Sequence, residues 1–167
     1  CDFFYDIINL GDNMIKVENF TKKYGDFIAV NNISFTVKEN EIVGFVGKNG
    51  AGKTTIIKLI LGLQSINSGE VKINGYDIEK DFVNAIERVG AIVENPYFYM
   101  YLTGRQNLEL SANLYKNITK ERINEVVELV GLEKRINDKV SKYSLGMRQR
   151  LGIAEALIHS PNLLILD

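Results

Sequence analysis

The run Gly47-Lys48-Asn49-Gly50-Ala51-Gly52-Lys53-Thr54 constrains this chain more than any other stretch. It has the form G-x-x-x-x-G-K-[ST]. Its glycines let backbone N–H groups curl around an anion with no Cβ in the way. The pattern works only where a strand delivers the loop and a helix leaves it. Glu41-Ile42-Val43-Gly44-Phe45-Val46 reads as that buried strand, and Thr54-Thr55-Ile56-Ile57-Lys58-Leu59-Ile60-Leu61 as that helix, ended near Gly62. A helix N-terminus carries about half a positive charge, which favours a phosphate there. The motif therefore predicts an α/β fold in which Gly47, Lys48, Asn49, Gly50, Ala51, Gly52, Lys53, Thr54 and Thr55 surround phosphate groups. Lys53 places a point charge toward the β- and γ-phosphates, and the Thr54 hydroxyl is set to ligate Mg2+.

A length of 167 residues, with 46% hydrophobic and 25% charged residues, suits about one globular domain. The net charge of -1 argues against general attraction to nucleic acid or to an anionic membrane. No apolar run approaches the roughly 18–20 residues that span a bilayer. Cys1 is the single cysteine, so no internal disulfide forms, which suits a reducing cytosol. Residues 1–13 look unlike the rest and read as a misassigned start or upstream read-through, with Met14 opening the first clean strand.

The first half reads as strand-rich, with strands at 14–20, 32–37, 41–46, 70–74 and 90–94. Asn74-Gly75 is a turn signal. The second half reads as helical: a helix from Leu102 to Tyr115, one capped by Thr119 and ended by Gly131, and one from about Gly146 to His159. Leu163-Leu164-Ile165-Leu166-Asp167 reads as a central parallel strand closed by a carboxylate. An α/β core (14–95 and 161–167) is thus interrupted by a helical segment (96–160).

An acid at the C-terminal end of a buried strand sits where open α/β sheets bind ligands. With the phosphate loop upstream, Asp167 takes the Walker B position of P-loop NTPases, beside Mg2+. Ser144-Leu145-Gly146-Met147-Arg148-Gln149-Arg150 resembles the S-G-G-Q-x-x-R signature of the ATP-binding cassette family, the ABC ATPases, and its spacing to Asp167 fits. The resemblance implies a P-loop NTPase fold: a RecA-like core with an antiparallel β subdomain and an inserted α-helical subdomain, truncated after the Walker B strand. It implies that Ser144 and the Gly146 N–H bind ATP held by a second subunit, in a dimer that sandwiches two Mg-ATP. Leu145 stands where the family has glycine and Met147 where it has glutamine; leucine disfavours φ > 0, and with it close backbone approach at 145.

By the same resemblance Tyr24 stacks on adenine. Glu94 stands where most cassettes have glutamine, within reach of Mg2+ and the attacking water. The pattern I-V-E-x-P followed by aromatics and L-T, from Ile92 to Thr103, is similar to ATPases of bacitracin-resistance and lantibiotic self-protection exporters. Lys53, Glu94 and Asp167 are then the catalytic candidates, and Thr54, Glu94 and Asp167 the metal ligands. The implied activity is ATP hydrolysis coupled to export through an integral membrane permease, on the cytoplasmic face of the cell membrane, without nucleic acid. A soluble ABC ATPase of the ribosome-associated or DNA-repair type is the alternative. The family's catalytic glutamate and switch histidine would follow Asp167, so the reading is a cassette that cradles nucleotide without its general base and is marginal in isolation.

Three further features stay open or bland at this level. Tyr97-Phe98-Tyr99-Met100-Tyr101 fits a docking surface for a partner helix and equally the inner face of the helical segment. The basic residues between Lys134 and Arg150 read as a solvated face. His159 reads as a helix-end residue favourable to the dipole.

Overall fold

The computed structural model describes residues 13–48 and 50–167. Residues 1–12 of the expected leader and Asn49 of the phosphate loop lie outside the described residues. The chain divides into two compact units between Glu87 and Arg88.

The first unit opens with β1 (Asn13–Tyr24) and β2 (Phe27–Lys38), followed by α1 (Lys53–Ile60), β3 (Ser68–Ile73), β4 (Tyr76–Asp77) and the short α2 (Phe82–Ile86). The strands form one antiparallel sheet in the order β2-β1-β3-β4. Asn74 and Gly75, both at positive φ (51° and 83°), make the turn that pairs Ile73 with Tyr76, as the Asn-Gly signal requires. Ile15 and Val17 point inward, and then the phase changes. Val17 pairs with Phe35 but Phe20 with Ile33, so β1 carries one extra residue at a bulge where Asn19 has φ 49°. Beyond it Phe20 and Lys22 are the buried positions. Had alternation run on unbroken, Lys22 would have faced water.

The apolar segment 41–46, expected as a buried strand, forms none. Ile42 and Val46 are 100% and 99% exposed, and Phe45 meets Phe35 edge-on, with ring centroids 5.4 Å apart. Apolar sequence suits a central parallel strand, but hydrogen bonds to neighbouring strands hold it there. Among the described residues no strand pairs with it.

The second unit holds β5 (Val89–Ile92), α3 (Gly104–Ala112), α4 (Lys120–Leu129), a 3-10 turn (Val140–Lys142), α5 (Leu145–Leu157) and β6 (Leu163–Leu166). β5 and β6 pair in parallel, Val89 with Leu163 through Ile92 with Leu166. Only Ile165 of β6 is buried, so that strand is less enclosed than its sequence predicts. α5 approaches β5 so closely that a Cβ on Gly90 would fall 2.3 Å from the Ala156 carbonyl oxygen. Leu108, Ile123, Val126, Val127, Leu151 and Ile158 share the helical core.

The helix ends explain the basic residues. Arg122 of α4 donates from Nη2 to Leu157 O (2.7 Å) and from Nε to Ile158 O (3.3 Å), satisfying carbonyls at the C-terminus of α5. Arg150 of α5 returns the favour with Nη1 to Val130 O (3.2 Å) and Gly131 O (3.0 Å) at the C-terminus of α4. Each helix thus supplies a cation to the other's negative end. Arg148 donates to Tyr143 O at 2.7 Å. The arginines in the stretch read as a solvated face are therefore partly structural.

Candidate nucleotide site

The phosphate loop ends at Gly52, which has φ 87° and serves as the N-cap of α1 with no side-chain hydrogen bond. The turn before it is closed by Ala51 N donating to Lys48 O (3.1 Å). Gly50 is also at positive φ, 81°. A Cβ on Gly52 would meet Ala29 O at 3.1 Å, besides being strained by its φ. Lys53 arches back over the loop, its Nζ donating to Gly47 O (2.8 Å) and Lys48 O (3.0 Å). The helix therefore presents its positive end with no side chain capping it, under a lysine ammonium. Both features suit a polyphosphate.

Beside the loop lies a cavity of about 420 Å3. Gly50, Gly52, Lys53, Thr54 and Thr55 border it on the loop side, and Tyr24, Phe27 and Ala29 on the sheet side. Phe27 and Ala29 escaped the sequence reading. The missed signal is Gly25-Asp26, a two-residue hairpin turn that sets Tyr24 directly opposite Phe27 in the ladder. Ala29 follows on the same face of β2.

In the second unit, Glu94 and Asp167 both follow the C-terminal ends of the parallel strands. Asp167 N still donates to Ile92 O at 3.0 Å. The two carboxylate residues border one cavity of about 190 Å3, together with Gln149 and Ile153 of α5 and Ile92, Pro96 and Leu166. Glu94 has φ 63°, a left-handed conformation rarely held by a non-glycine residue, and such strain gathers at functional positions. Among the described residues no cluster of three or more His, Cys, Asp or Glu could hold a metal alone. A divalent ion here would rely on oxygen donors: these carboxylates and water. That donor set matches Mg2+. Gln149 was not singled out from sequence; it lies one turn beyond Leu145, where the helix period alone does not mark it.

Ser144 is the N-cap of α5, its Oγ accepting from Met147 N at 3.2 Å. Leu145 is the first residue of the helix and is not at positive φ. The leucine therefore costs no backbone strain in this helix. A Cβ on Gly146 would meet nothing within 4 Å, so this helix end opens onto free space.

Of the aromatic run, Tyr97, Tyr99, Met100 and Tyr101 are exposed, Tyr97 at 89%. Only Phe98 packs against the helical core. The run is mainly outward-facing. His159 departs from its sequence reading. It lies past the end of α5, stacks on Tyr115 (4.4 Å, parallel), and holds Nε2 3.2 Å from Val89 O. Burial, outweighing the Val89 contact, pushes its pKa below the usual value, so it is kept neutral and does not serve the helix dipole as a cation. No helix among the described residues is long and apolar enough to cross a membrane.

A glycine-lined helix start under an arched lysine, beside a cavity walled by aromatics, defines a phosphate-loop nucleotide-binding fold. Residues 30–167 match the family model described as ABC transporter, and the chain belongs to that family. It is 51% identical over 154 residues to an uncharacterized ABC transporter ATP-binding protein, YhcH, of Bacillus subtilis strain 168, covering 92% of this chain and 50% of the relative. It is 47% identical over 154 residues to the bacitracin transport ATP-binding protein BcrA of Bacillus licheniformis, with the same two coverages, 92% and 50%. Among solved structures it resembles the dimeric post-hydrolysis state of the ATP-binding cassette MJ0796 bound to ADP and Pi (TM-score 0.79, 30% identity), covering 92% of this chain and 73% of that one. The chain spans about half the length of the curated relatives it matches.

Proposed function

We propose that this chain binds Mg-ATP as the nucleotide-binding part of an ABC exporter of an antibiotic or peptide-like substrate. The observation that carries the reading is the N-terminus of α1, uncapped by any side chain and overarched by Lys53. Fixed N–H dipoles and an ammonium there neutralise polyphosphate charge without reorganising. Tyr24 takes the base, and Lys53 and the loop N–H groups take the phosphates. Thr54, Glu94 and Asp167 are the residues that would hold Mg2+, which would offset charge on the phosphate oxygens. Ser144 and Gly146, at the start of α5, face the nucleotide of a second subunit, so that two subunits enclose two ATP. Closure on ATP and reopening on hydrolysis would drive the permease. The exposed run Tyr97–Tyr101 gives that permease an aromatic docking face. The likeness to a bacitracin transport ATP-binding protein and to a linearmycin resistance ATP-binding protein supports an antibiotic as cargo.

The test is affinity capture of the tagged protein, expressed with its chromosomal neighbours, from detergent-solubilised membranes. Stoichiometric recovery of a polytopic membrane protein is expected. Recovery wholly in the soluble fraction, bound to ribosomes or DNA, would instead favour the soluble ABC class.

A further inference from the structure

Lys22 is an unusual residue for its place. It is only 8% exposed, on the inward face of β1, put there by the bulge at Asn19. A buried ammonium needs partners. Its Nζ donates to Ser65 O at 2.5 Å and lies 5.0 Å from the centre of the Tyr24 ring. Lys22 and Tyr24 are two residues apart on one face of the strand, which brings the charge to the ring. That distance is within cation–π range.

Tyr24 is held at its other end too. Its hydroxyl donates to Gln64 Oε1 at 2.5 Å. Two more bonds tie the same pieces of chain: Asn67 N to Thr21 O (3.1 Å) and Lys23 N to Asn67 Oδ1 (2.7 Å). Residues 64–67 form the connection that leaves α1, the helix whose N-terminus faces the phosphate loop. Lys22 does not border the 420 Å3 cavity, whereas Tyr24 does. The ring thus has the ammonium over one face and also borders the cavity.

We propose that Lys22 is a positioning residue for base recognition. With Gln64 it fixes the plane of Tyr24 and makes the ring electron-poor on the cavity side. An electron-rich purine then stacks more strongly than on a free tyrosine. Because the anchors belong to the chain leaving α1, the stacking platform is built on the same element that takes the phosphates. Base and phosphates are therefore read at a fixed separation. This inference rests on the nucleotide-binding reading above.

The test is calorimetric binding of Mg-ATP and of inorganic tripolyphosphate, each to the intact protein and its variants. Lys22→Met keeps the volume and removes the charge and the donor. It should weaken ATP about three- to tenfold and leave tripolyphosphate within about twofold. Lys22→Arg should restore most of the loss. In a Tyr24→Ala background, Lys22→Met should have no further effect on ATP. If Lys22→Met does not fold, Gln64→Ala, at a half-buried position, decides the matter: a loss of about two- to threefold confined to ATP is expected. Equal loss of both ligands, or loss of neither, would overturn the positioning role while leaving nucleotide binding intact. A wild-type protein that binds neither ligand would overturn the nucleotide reading, and this inference with it.

Discussion

Replacing Asn107 by alanine should destabilise the helical unit and loosen the aromatic run. Asn107 is only 5% exposed, and its amide clasps the chain ahead of α3. Tyr99 N donates to Oδ1 at 2.9 Å, while Nδ2 donates to Tyr99 O at 3.2 Å and Thr103 O at 2.9 Å. Thr103 O also accepts from Asn107 N at 3.1 Å, so alanine does not orphan it. Tyr99 O likewise keeps Leu102 N as a donor at 3.1 Å, so Tyr99 N is the group that loses its partner. Kept dry, such a group costs about 1–3 kcal/mol. The bond is only part-buried, so about 1 kcal/mol is the better figure. The total is about 1 kcal/mol, which lowers Tm by about 2–4 °C for a chain of this size. Calorimetry on wild type and Asn107→Ala reads this directly. The variant should also recover less permease in membrane capture, because Tyr97–Tyr101 is no longer pinned. A Tm within about 1 °C of wild type would refute the claim that the amide clasp holds this segment.

Phe27→Ala should weaken ATP binding about threefold or more with little effect on tripolyphosphate, since Phe27 walls only the sheet side of the cavity. Ser144→Ala removes the hydroxyl that accepts from Met147 N and should cost about 1 kcal/mol, seen as a Tm drop of about 2–4 °C without nucleotide. For His159 the pKa is lowered in the fold, chiefly by burial. Its stabilising contribution is then complete above the unfolded value of about 6.5 and is lost as pH falls through the lower folded value. His159→Phe keeps the stack on Tyr115, so wild type should lose Tm relative to this variant between pH 8 and 5. A constant difference would contradict the buried neutral imidazole.

Local signals were legible wherever they were self-sufficient. Asn74-Gly75 needs only its own backbone, and Thr119 caps its helix with its own hydroxyl (Arg122 N at 3.2 Å). The glycine pattern of the phosphate loop likewise states its own geometry. What escaped depends on partners distant in sequence. The segment 41–46 has the composition of a central strand, yet pairing decides strand formation. The bulge at Asn19 is invisible in an alternating pattern, and it turns Lys22 from a surface lysine into a buried one. Arg150 reads as surface charge because the carbonyls it satisfies belong to another helix. Phe27 is marked by Gly25-Asp26, whose hairpin sets it opposite Tyr24.

The most direct test of the account is equilibrium binding of Mg-ATP to the intact protein and to Lys53→Ala. The account predicts saturable binding by wild type and a loss of at least about tenfold in the variant, as the ammonium over the loop is removed. No saturable binding by wild type, or equal affinity in the two proteins, would contradict the claim that the loop at the start of α1 is a nucleotide phosphate site.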